Sequence, residues 1–84
     1  MSAVFNLRCK LDKGMFSDEV AVSYPQTDAR KSVFVPYGKV IGNAGQSGTV
    51  VVKIIRKEGR VFAILPSSNN DIVEVRNEDL EEVR

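Results

Sequence analysis

No histidine and no tryptophan occur among the 84 residues of this chain, and there is only one cysteine. Each absence excludes something. Without histidine, the chain lacks the usual general base at neutral pH and the commonest metal ligand. A single cysteine allows neither an internal disulfide nor a cysteine-cluster zinc site. The apolar core must therefore hold the fold by itself, which suits a reducing compartment. No run is long and apolar enough for a transmembrane helix. The start, "MSAVFNLRCK", lacks the basic opening, apolar stretch and cleavage site of a secretion signal, so a cytoplasmic address without membrane association is expected. Three prolines and six glycines are too few for a disordered chain, and 84 residues leave room for one small domain spanning 1–84.

Helical periodicity is nearly absent as well. What recurs is alternation with a period of two. In "AVFNLRCKL", Phe5, Leu7, Cys9 and Leu11 share one face, while Asn6, Arg8 and Lys10 share the other, the pattern of a half-buried strand. "DKG" ends it. "EVAVSY" places Val20, Val22 and Tyr24 opposite the smaller Ala21 and Ser23. A proline-led turn, "PQTDAR", leads to "KSVFVP", where Pro36 marks a strand end or a sheet edge because it has no amide to donate. "TVVVKIIR" is apolar on both faces, with Val50, Val52 and Ile54 on one and Val51 and Ile55 on the other, and is expected to be the most enclosed strand. "KEGR" predicts a bulged hairpin loop of three to five residues with Gly59 in the left-handed position. "VFAILP" returns antiparallel and "IVEV" is a last short strand. In "NEDLEEV", Asn77 is expected to cap one helical or 3₁₀ turn, with Leu80 and Val83 on its inner side.

Five or six short strands joined by short turns fit an all-β, antiparallel small barrel, which hides its sheet edges. The ending "IVEVRNEDLEEV", about twelve residues, resembles the closing element of SH3-like barrels, in which a short strand, one helical turn and an inward leucine complete the fold. An OB-like barrel is the alternative, although its usual helix between strands three and four has no counterpart in the glycine- and proline-bearing 36–48 segment.

Three glycines, Gly42, Gly45 and Gly48, precede the apolar strand. Their spacing matches neither a Walker loop nor a dinucleotide fingerprint, and strands rather than helices flank "GNAG". They are read as backbone freedom for a mobile hairpin tip. Cys9, among Phe5, Leu7 and Leu11, reads as a buried and inert thiol. The carboxylates of "SDE" and "EDLEE" lack the facing cleft that glycosidase-type chemistry requires and the ligand spacing of a calcium site. The expectation is therefore no enzyme, no metal and no cofactor.

Charge is uneven. Residues 30–60 carry seven basic groups against Glu58 alone, a net +6, while 61–84 carry −4 and the whole chain +1. Two binding readings follow. A protein-docking adaptor or accessory subunit would use "GMF" and "VFVPY", hence Phe16, Phe34 and Tyr37, and a free sheet edge would also admit a second copy. A nucleic-acid-binding barrel would use the basic 30–60 segment, with Lys53, Arg56, Lys57 and Arg60 beside stacking aromatics, against the handicap of low overall charge.

Overall fold

The computed structural model describes residues 4–25 and 32–82. Arg30, Lys31 and Val83, together with most of the "PQTDAR" turn, lie outside the described residues. The expected small antiparallel barrel-like fold is present, as one sheet curled into a half-barrel with no α-helix among the described residues. Six strands form its hydrogen-bonded path: β1 (Val4–Lys13), β2 (Glu19–Ser23), β3 (Ser32–Pro36), β5 (Ser47–Lys57), β6 (Arg60–Ile64) and β7 (Ile72–Val75), in the order β3-β2-β1-β5-β6-β7. Two short strands complete it. β4 (Val40–Ile41) follows a 3₁₀ turn at Tyr37–Lys39, and β8 (Leu80–Glu82) follows another at Asn77–Asp79. β4 pairs with β5 and β8 with β1, while β3 and β7 remain the ends of the path.

The core follows the alternation of β1. Leu7, Cys9 and Leu11 are fully buried, and Val20, Val22, Val35, Val50, Val52, Val61, Ala63, Leu65 and Val75 close around them. Burying each large aliphatic side chain contributes about 1.5–3 kcal/mol, which is how a domain with no disulfide keeps its shape. β2, rather than β5, is the strand enclosed on both faces, since Ala21 and Ser23 are buried along with Val20 and Val22. β5 is central in pairing, but Ile55 on its outer face is exposed.

Three local expectations are corrected. The β5–β6 hairpin has a two-residue loop, with Lys57 opposite Arg60. Both of its residues, Glu58 (φ 54°) and Gly59 (φ 76°), take the positive φ that matches the twist of tight hairpins. Asn77 does not cap the second 3₁₀ turn. It is the first residue of that turn, Arg76 occupies the cap position without a side-chain capping bond, and Asn77 Oδ1 accepts from Arg56 Nη1 at 2.8 Å. The glycine loop is held against β1 rather than standing as a free tip. Leu11 donates to the Gln46 carbonyl at 2.9 Å and accepts from the Gly45 amide at 2.7 Å. Gly48 is required by contact, because a Cβ there would lie 2.4 Å from the Ile41 carbonyl oxygen and 2.6 Å from Leu11 Cδ1.

The element order contains a repeat. Each half has a long strand (β1; β5), its hairpin partner (β2; β6), a third strand (β3; β7), a 3₁₀ turn and a short strand (β4; β8). Each short strand crosses to the other half's long strand, β4 at Val40↔Val50 and β8 at Leu80↔Leu7. Leu7 and Val50 are themselves partners in the β1–β5 ladder. A two-fold axis of topology therefore passes between them. Equivalent positions share burial: Val20 with Val61, Val22 with Ala63, Tyr24 with Leu65, and Val35 with Val75.

Candidate binding surfaces

The seven residues singled out from the sequence fall on two surfaces and two isolated places. Phe16 and Phe34 come together. The turn after β1 presents Met15 (75% exposed) and Phe16 (68%), and β3 presents Phe34 (41%) while its neighbour Val35 (1%) points into the core. These residues, with Pro36 of β3 and Pro66–Ser68 of the loop after β6, line an open groove of about 470 Å³. Asp18 and Glu19 form its rim. The turn is fixed from within: Glu19 Oε2 accepts from the Met15 amide at 3.1 Å, and Tyr37 donates its amide to the Asp18 carbonyl at 2.9 Å. Tyr37 itself begins the first 3₁₀ turn, is half-exposed, and lies outside the groove lining.

Lys53, Lys57 and Arg60 lie on the outer face of the β5–β6 hairpin. Strand register sets them among apolar neighbours: Val4, Lys53, Ile64 and Ile72 form one row across four strands, and Ile55, Phe62 and Glu74 form the next. Arg56 has the inner parity of β5, opposite Val61, and turns to solvent at the strand end, where Asn77 holds it. Arg60 donates to both oxygens of Glu74, at 2.7 and 3.0 Å, and its guanidinium carbon lies 5.2 Å from the Phe62 ring centroid. Hydrogen bonding from Arg60 holds the Glu74 carboxyl below the usual range, and the same bond raises the Arg60 pKa.

Sequence reasoning passed over Phe62, the aromatic at the centre of this outer face. The signal was the opposite parity of Phe62 to Val61 and Ala63 in "RVFAI". It also passed over Lys39, the last residue of the first 3₁₀ turn.

Burial pushes the Cys9 thiol up to about 12, so the thiolate is scarce at neutral pH. Among the described residues, no group of three histidine, cysteine or acidic side chains is placed to hold a metal, and no helix is long and apolar enough to cross a membrane. Comparison of the chain with protein-family models, curated proteins and solved structures gives no match.

Proposed function

We propose that this protein is a non-catalytic docking module that receives an extended segment of a partner protein in the Met15–Phe16–Phe34 groove. The exposure of these three large apolar side chains on one open groove carries the reading, since contiguous apolar surface of this kind is a mark of contact sites. The rim gives the partner its chemistry. Asp18 and Glu19 favour a segment whose apolar side chains alternate with lysine or arginine. β3 ends the sheet path beside the groove, so such a segment could also add along Val33–Pro36, as could a second copy of the chain. The lone thiol and the absence of histidine support a non-enzymatic role in a reducing compartment, the cytoplasm being the simplest such address.

The test is an amide-resolved NMR titration with two short peptides of alternating apolar and charged residues, one bearing lysine and one glutamate. The lysine peptide should shift residues 15–19, 34–36 and 66–68 saturably, and Phe16→Ala with Phe34→Ala should remove the effect. No saturable shift from either peptide, or equal binding of the glutamate peptide, would refute the reading.

A second reading draws on the clustering of Lys53, Lys57 and Arg60 around Phe62, which is the arrangement a nucleic-acid-binding sheet face uses. Two features work against it: Arg60 lies over the ring on which a base would stack, and Glu74 already satisfies that guanidinium. Oligonucleotide binding that falls steeply with salt and is lost in Lys53→Glu with Lys57→Glu would establish it over the first.

A further inference from the structure

The two halves of the fold differ at one equivalent place, and the difference opens a cleft. Along each long strand, the short strand and the hairpin partner do not meet. On β1 the interval lies between β8, paired at residues 5–7, and β2, paired at 10–13. On β5 it lies between β4, paired at 49–50, and β6, paired at 53–57.

In the first half, side chains bridge the interval. Tyr24 donates its hydroxyl to Asp79 and accepts from the Arg76 amide, and Arg8 reaches Glu81 at 2.8 and 3.0 Å. In the second half every member of this polar plug is replaced. Leu65 stands for Tyr24, Lys39 for Asp79, Pro36 for Arg76, Val51 for Arg8 and Ile41 for Glu81. Hydroxyl, acceptor, amide donor and guanidinium are all lost together.

What remains is an open cleft of about 640 Å³, within the usual size range of small-molecule sites. Val4, Val51, Ile64 and Pro66 line it, together with Lys39, Lys53 and Asn70. Among the described residues, neither lysine makes an ion pair or a side-chain hydrogen bond. Apolar walls with two uncompensated cations and one amide are complementary to one chemistry: an anionic head on an apolar body. We propose that this cleft binds a small amphipathic carboxylate, with the carboxylate between Lys39 and Lys53 and the hydrocarbon against Val4, Val51, Ile64 and Pro66. This site lies apart from the Phe16–Phe34 groove, sharing only Pro66 with it, and stands whether or not that groove docks a protein.

The probe is octanoate, with octanol as the uncharged control of equal length, followed by NMR on the amide-labelled full chain. Octanoate should give saturable shifts at Val51, Lys53, Ile64, Leu65 and Asn70, with octanol about tenfold weaker, as expected for losing a charge-assisted hydrogen bond. Lys39→Met and Lys53→Met retain the methylene stems, and each should weaken octanoate about tenfold while leaving octanol unchanged. Both side chains are exposed, so the fold should survive either change, and an unaltered spectrum of the free variant verifies this. Phe34→Ala should bind octanoate as the unaltered chain does. The proposal fails if octanol binds as tightly as octanoate, if the methionine variants bind unchanged, if the shifts map to Met15, Phe16 and Phe34 instead, or if no saturable shift occurs.

Discussion

Tyr24 and Asp79 lie 55 residues apart in sequence and are joined by a hydroxyl-to-carboxylate hydrogen bond of 2.5 Å, with the Arg76 amide donating to the same hydroxyl at 3.1 Å. This one phenol oxygen ties the end of β2 to the second 3₁₀ turn. Tyr24→Phe keeps the ring in the core and removes only the oxygen, leaving the Arg76 amide without its acceptor. The expected loss is about 1–2 kcal/mol in urea denaturation at neutral pH, the cost of stranding a partly buried polar group. A change within experimental error would mean that water replaces the hydroxyl without cost.

Alkaline pH should expose two protonated groups that the folded state protects. Desolvation raises the Tyr24 pKa, and its hydrogen bond to Asp79 raises it further, while burial pushes the Cys9 thiol from 9.0 up to about 12. Both folded-state values lie above the unfolded ones, so the unfolded chain releases these protons first. Their stabilisation is complete at neutral pH. It is lost from about pH 9 toward 12 for Cys9, and upward from the ordinary phenol value of about 10 for Tyr24. Melting temperatures across pH 7–11 should fall more gently for Cys9→Ala than for the unaltered chain, and Tyr24→Phe should remove the later part of the decline. Parallel profiles for all three proteins would contradict the assignment.

Phe34 and Val35 are neighbours on opposite faces of β3, and their truncations should differ accordingly. Phe34→Ala, made at an exposed position, should cost less than about 1 kcal/mol, whereas Val35→Ala should cost about 2 kcal/mol through lost burial and the cavity left behind. Equal costs would place Phe34 in the core and remove it from the docking groove.

Two glycines offer a similar contrast. Gly48→Ala drives a methyl group into the Ile41 carbonyl and Leu11, and a loss of about 3 kcal/mol or more is expected from the forced backbone shift. Gly38→Ala meets no atom within 4 Å and should change stability by less than about 0.5 kcal/mol. Thermal denaturation of the pair decides the point.

Asn6 lies on the outer face between Val51 and Glu81, and its Oδ1 is buried without a partner among the described residues. Replacing an unsatisfied amide with a β-branched apolar residue should help a central strand. Asn6→Val is expected to stabilise the protein by about 1 kcal/mol in chemical denaturation. Destabilisation would show that the amide is satisfied in solution.

The sequence made β1 legible because one of its faces is solvated, so Leu7, Cys9 and Leu11 alternate cleanly with polar residues. β2 was harder to place: with both faces covered, only the small size of Ala21 and Ser23 hinted at its enclosure. The first 3₁₀ turn carries no cap signal, since Pro36 precedes it and makes no side-chain bond. The second turn is visible in the sequence, but Asn77 does not cap it, because its amide oxygen is taken by Arg56 from 21 residues away. The groove could be anticipated from Phe16 and Phe34 as unusually placed aromatics, yet nothing local announced that Pro66 would join them. The lysine cleft was illegible for a deeper reason. Its recognition depends on the repeat, and the repeat preserves burial while exchanging Tyr24 for Leu65, Arg8 for Val51 and Asp79 for Lys39.

The exchange of short strands makes each half incomplete without the other. Residues 4–41 hold the β4 that β5 needs, and residues 47–82 hold the β8 that β1 needs. A chain severed within Gly42–Gln46 would thus yield two pieces whose natural partner is each other, and reassembly of the pieces would restore every ladder of the intact fold. Two copies of one piece could approach the same arrangement, since the strand each lends has an equivalent on the other.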